Sequence, residues 1–307
     1  MPFLNAVYCF LAALIWGTAF VAQKIGGDVM GPLSFNGIRS LLGFCALLPL
    51  VIIRGHHRNR FKDREPYVSA PYSLRTSIIG GMTCGFFLCL GSTLQQISIG
   101  YTDVGKAGFL TALYMVLVPV LSFFMTGRSS KKVWTAVCIA LAGLYCLCMK
   151  SGEGLHIAGA DYLLILCALV YAMQIMSVDH FVALTDGIEI AAGQLLTTGV
   201  VCTILAVIIE HPDPRMFGID GWLSLLYAGI MSSGIAYTLQ VVGQKGADPA
   251  IASLIMSLES VISAISGFVF LHQRLSSREV LGCVLMFSAI ILVQLPVKRK
   301  TAEPQHQ

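Results

Sequence analysis

Ten long apolar runs, each bounded by charged residues or by glycine and proline, follow one another from the amino terminus to residue 295. A helix rising about 1.5 Å per residue needs roughly 20 mostly apolar residues to cross hydrocarbon. The runs at 4–24, 32–53, 76–98, 104–126, 132–149, 160–182, 188–209, 220–243, 250–271 and 278–295 are close to that length. The pattern therefore predicts an all-α integral membrane protein with ten transmembrane helices. Gly26 and Gly27, Gly31 and Pro32, Gly127, Asp213 and Pro214, and Asp248 and Pro249 mark span ends.

Composition agrees with the pattern. Of 307 residues, 56% are hydrophobic and 12% charged, and the mean hydropathy is +0.78, so too few polar groups exist to coat a water-soluble globule. Met1 to Val7 carries no Lys or Arg and equally apolar runs follow, so the first run reads as a span, not a cleaved leader. All ten cysteines fall inside apolar runs, with neither a CxxC pair nor a nearby His, and read as small packing residues. No cofactor motif, metal-ligand spacing or phosphate-binding loop is present.

Charge sets the expected orientation. With a cytoplasmic amino terminus, the inner connections hold thirteen Lys and Arg and the outer ones six, leaving Arg39 inside a span. The positive-inside rule then puts both termini in the cytoplasm. The net charge of +4 is explained by topology and implies no nucleic-acid partner.

The halves resemble each other. KAGFLTALYMVLVPVLSFFM, a basic turn and KVWTAVCIALAGLYCL parallel AIASLIMSLESVISAISGFVFL, HQRLSSREVLGCVLMFSAIILV. Five spans per half is an odd number, so the second copy enters the membrane with opposite polarity, giving two inverted five-helix repeats. They are expected at residues 1–150 and 151–307, the latter with a short basic tail.

The stretches LIWGTAFVAQK, GKAGFLTALYMVLVPVLSF, GRSSKKVW, ALVYAMQ, SSGIAYTLQVVGQKGADPAIASLIMSLESVISAISGF and HQRLSSREVLGCVLM are similar to the EamA type of the drug/metabolite transporter superfamily. The resemblance implies ten helices around a central cavity, a multi-pass place in a cell (inner) membrane, and transport of amino acids or other small metabolites, often outward. Two departures stand out. Gln273 replaces a Glu common before the last helix, and Ser260 replaces a Pro after the mid-helix Glu, which should remove a kink.

Glu259 is the strongest candidate for chemistry, because it lies near the middle of a span that holds no other charge. An acid there costs on the order of 3 kcal/mol on insertion scales and must face protein or a wet cavity. It suits proton exchange or the binding of an amine, with a hydrogen-bonded structural acid as the alternative. Arg39 could take a substrate carboxylate in a bidentate fork, pair with Glu259, or cap carbonyls. Polar stripes of Ser233, Tyr237, Gln240 and Gln244, of Tyr171 and Gln174, of Gln194, Thr197 and Thr198, and of Thr111 and Tyr114 should face protein or water. Trp16 could wall the same cavity, and Gly91, Ser92, Gln95 and Gln96 make the third span locally polar.

These residues lead to a secondary transporter, an exporter of amino acids or related metabolites working by alternating access between its repeats, with protons as a candidate partner besides substrate and bilayer. A carrier of sugar phosphates or nucleotide sugars would need several cavity cations, and only Arg39 lies inside a span. A non-transporting scaffold or channel stays open, whereas a membrane enzyme would need convergent acids, His or metal ligands that the pattern does not provide.

Overall fold

The computed structural model describes residues 1–61, 73–102, 104–127, 130–148, 159–213, 215, 217–271 and 276–295. They form helices and no strand. In the first half, α1 (Phe3–Val29), α2 (Pro32–Phe61) and α3 (Leu74–Ile99) run unbroken. The fourth pass is split at Leu113 into α4 (Val104–Ala112) and α5 (Tyr114–Thr126), and α6 (Lys131–Cys148) is the fifth. The second half repeats the plan with α7 (Gly159–Val182) and α8 (Gly187–Ile209). Its eighth pass contains α9 (Gly218–Leu226), a π-helical stretch Tyr227–Ala236 and α10 (Tyr237–Gln244). The ninth is α11 (Pro249–Met256) and α12 (Glu259–Leu271), and α13 (Ser277–Gln294) is the tenth.

Among the described residues nine passes are long and apolar enough to cross a membrane. The remaining pass, α6, lies antiparallel along α13: Gly143 backs onto the Gly282 carbonyl, and Lys132 donates to the Val293 and Leu295 carbonyls. Large apolar side chains such as Phe86, Phe124, Ile208 and Val284 remain exposed on the outside, where hydrocarbon would cover them.

Small residues set the closest approaches. A Cβ at Gly81 would lie 2.8 Å from the Gly193 Cα, and one at Gly37 would lie 2.9 Å from the Thr203 amide nitrogen. These glycines weld α3 to α8 and α2 to α8. Gly26 plays the same role and is not a helix end: α1 continues to Val29, and a Cβ at Gly26 would lie 2.2 Å from the Phe35 ring.

The expected loss of a kink at Ser260 is corrected by the structure, because the ninth pass breaks at Ser257 and Leu258 without proline. The Oγ atoms of Ser253, Ser257 and Ser260 donate to the carbonyls of Ala250, Leu254 and Ser257 at 2.9, 2.7 and 2.7 Å. Such back-bonding competes with the i−4 ladder and bends helices. Gln273 lies outside the described residues.

The two halves interdigitate. α1 packs on the eighth pass and on α12, whereas α7 packs on α3 and on α4 and α5. Two mixed bundles result. One contains α1, α2 and the eighth and ninth passes; the other contains α7, α8 and the third and fourth. They meet along the antiparallel α2–α8 seam and where the two broken passes cross, α4 against α12 and α5 against α11.

Candidate functional site

At that crossing lies a cavity. Eight of the nine residues singled out from the sequence line it: Trp16, Arg39, Tyr114, Tyr171, Gln174, Tyr237, Gln240 and Glu259. The ninth, Gln96, donates to the Gln23 carbonyl at 2.9 Å and is turned away from the cavity; its neighbour Gln95 takes the place. Successive residues on a helix are about 100° apart, so two adjacent glutamines cannot share a face. Phe20, Gln23, Thr111, Ile175, Ser232 and Met256 complete the lining.

The π stretch corrects one further expectation. An α-helical spacing put Ser233 on the face of Tyr237 and Gln240, but Ser232 lines the cavity and Ser233 is buried elsewhere, against Gly43. A π turn holds more residues than an α turn, so the register slips by one across Tyr227–Ala236. The Ser232 carbonyl also receives the Trp16 indole N–H at 3.2 Å, fixing the ring beside Tyr237 at a centroid distance of 4.9 Å. Gln244, last of that stripe, leaves the cavity and donates to the Ile175 carbonyl.

Amide and hydroxyl networks hold the walls. Gln240 donates to Gln174 at 3.1 Å and Gln174 to Gln194 at 3.0 Å, tying α10, α7 and α8 together. Tyr171 donates to Gln95, and Gln95 to Thr111, both at 3.3 Å. Thr197 and Thr198 instead serve packing, bonding the Gly193 and Gly85 carbonyls.

Arg39 and Glu259, the two charges singled out from the sequence, both reach the cavity. Glu259 opens α12 and Tyr114 opens α5, so they occupy equivalent places just after the two helix breaks, and the Tyr114 hydroxyl donates to Glu259 Oε1 at 3.1 Å. Arg39 is only 3% exposed, and its guanidinium lies 5.5 Å from the Phe35 ring centroid. The two do not pair, since among the described residues the one ion pair is Arg54–Asp186. Among the described residues the site thus has aromatic walls, one cation, one acid and several neutral donors, which is the makeup of a small-molecule site. No cluster of metal-ligating side chains occurs among the described residues.

A bundle of membrane passes broken around a central polar cavity is the architecture of secondary transporters. The model of the EamA-like transporter family matches this chain twice, at residues 4–149 and 158–295. The chain belongs to that family and is a multi-pass membrane transporter. It is 28% identical to an uncharacterized transporter of Archaeoglobus fulgidus, over 94% of this chain and 84% of that one. It is 24% identical to the uncharacterized transporter YoaV of Bacillus subtilis, over 94% and 95%. It is 23% identical to the uncharacterized inner membrane transporter YedA of Escherichia coli K12, over 96% and 91%. A solved crystal structure at 18% identity superposes with a TM-score of 0.75, covering 94% of this chain and 96% of that one, and shows the same fold.

Proposed function

We propose that the protein is a secondary carrier of the cell (inner) membrane that exports amino acids or related small metabolites, with both termini cytoplasmic. The observation that carries this reading is the cavity itself. It lies between two bundles, receives side chains from both and, among the described residues, contains one unpaired cation and one acid beside aromatic walls.

Residues 1–150 and 151–307 are the two repeats, but the bodies that move are the mixed bundles, because α1 and α7 each pack on helices of the other half. Rocking them about the glycine-lined centre of the α2–α8 seam would expose the cavity at one end and then the other. Glu259 carries the proton step. Tyr114 reaches it from the opposite bundle, so the carboxyl group registers the closure of the crossing.

The test is counterflow in proteoliposomes loaded with a mixed panel of amino acids and small metabolites, comparing the native chain with Glu259→Gln at pH 6 and 8. Saturable exchange is expected, with a pH response that the variant loses. Exchange with the same pH response in the variant would overturn the proton role, and none from folded native protein would overturn the carrier reading.

A further inference from the structure

We infer that the cavity takes its substrate as a zwitterion in one orientation, with a carboxylate on Arg39 and an ammonium group on Glu259. The inference rests on the carrier reading and narrows it to the residues that read each end of the substrate.

Arg39 supplies the first reason. It is 3% exposed, lines the cavity, and its Nε is buried without a hydrogen-bond partner. A cation enclosed in low dielectric with no counter-ion is costly, so the occupied state must bring an anion. The planar fork with the Phe35 ring beside it matches a carboxylate. A phosphate would ask for further cations, and among the described residues Arg39 is the only Lys or Arg in the lining.

Glu259 supplies the opposite pole. It is 6% exposed and accepts one hydrogen bond, from Tyr114, which leaves acceptor capacity facing the cavity for a primary ammonium group. The faces of Trp16 and Tyr237 line the same space and can pack the apolar body of such a molecule.

The placement of the two charges has a mechanical consequence. α2 and α12 belong to the same bundle, whereas the lining residues from the other bundle (Gln95, Thr111, Tyr114, Tyr171, Gln174 and Ile175) are neutral. Both charge-assisted contacts to the substrate can therefore persist as the bundles rock, while the Tyr114–Glu259 bond and the neutral hydrogen bonds from the other bundle exchange. The substrate travels with the bundle containing α1 and α2.

The experiment measures binding apart from transport. The purified native chain, Arg39→Lys and Arg39→Gln are titrated in detergent with the standard amino acids, following ligand-induced thermal stabilisation. Leucine and phenylalanine are compared with the amines lacking the carboxylate, isoamylamine and phenethylamine, and with the acids lacking the ammonium, 4-methylpentanoate and 3-phenylpropanoate. At least one amino acid should bind native protein, with both of its truncated counterparts weaker by about tenfold or more. Arg39→Gln should abolish the preference for the amino acid over the amine without weakening the amine, and Arg39→Lys should restore part of it. Equal binding of amine and amino acid, or no amino acid bound by folded native protein, would overturn the assignment. Counterflow separates the two claims: exchange of an uncharged solute without amino-acid binding sinks the zwitterion site and spares the carrier, whereas binding without exchange does the reverse.

Discussion

The two ends of the α2–α8 seam are closed by different chemistry. At the end away from the termini, Glu210 reaches from the C-terminus of α8 onto the N-terminus of α2, accepting from the Leu33 and Ser34 amides at 2.8 Å each and from the Ser34 hydroxyl at 2.5 Å. Gly31 makes the approach possible, since a Cβ there would lie 2.2 Å from the Glu210 carboxyl carbon. An acid at the C-terminus of its own helix is misplaced with respect to that dipole, but at the N-terminus of the neighbour it is favourable and supplies acceptors to unpaired donors. At the other end, α8 is capped by its own Asp186, through the Ile188 amide at 2.8 Å, and Arg54 of α2 meets that carboxylate at 3.2 Å with 56% of its side chain exposed. One closure is a partly buried acid holding three donors, the other a solvated ion pair. Between them, Gly37 and Gly199 pack α2 and α8 tightly. The rocking proposed above needs such a fixed centre, and this structure is closed more firmly at the end away from the termini.

Substitutions that weaken one end should show the inequality. Glu210→Ala is expected to have the largest effect, about 2–4 kcal/mol from three orphaned donors and a lost dipole contact. It should lower the melting temperature and speed alkylation of a cysteine placed at Asn36 from the side away from the termini. Unchanged alkylation would mean that Glu210 is not a closure. Gly37→Ala comes next, at about 1–3 kcal/mol for overpacking against the α8 backbone, and should slow exchange as well as destabilise. Asp186→Ala should cost about 1 kcal/mol, mostly as a lost N-cap. Arg54→Ala should cost no more than about 0.5–1 kcal/mol and lose its effect in high salt, as an exposed pair does. A larger loss for Arg54→Ala than for Glu210→Ala, in paired thermal melts, would reverse the comparison.

The sequence revealed the membrane class because ten apolar runs of spanning length leave little choice of environment. It also pointed to most of the cavity, since charges and polar side chains deep in a span have nowhere else to face. The breaks at Leu113 and at Ser257–Leu258 were not legible, because neither carries a proline or glycine. They become apparent only where the two passes cross and serine hydroxyls turn back onto the backbone. The choice of Ser232 over Ser233 depended on a π register that no spacing rule anticipates. Gln95 and Gln96 were adjacent and chemically equal, so only rotation about the helix axis distinguished them. Glu210 gave no signal in the sequence, because its partners Leu33 and Ser34 are 177 and 176 residues away.

The most direct test of a carrier built from two mixed bundles is a pair of spin-label distances between them. In a cysteine-free background, labels at Tyr101 and Ile219 would report the end away from the termini, and labels at Phe3 and Leu184 the end near them. All four side chains are exposed. On adding a transported substrate, one distance should lengthen as the other shortens. Distances that change together, or not at all while transport proceeds, would contradict the division into these bundles.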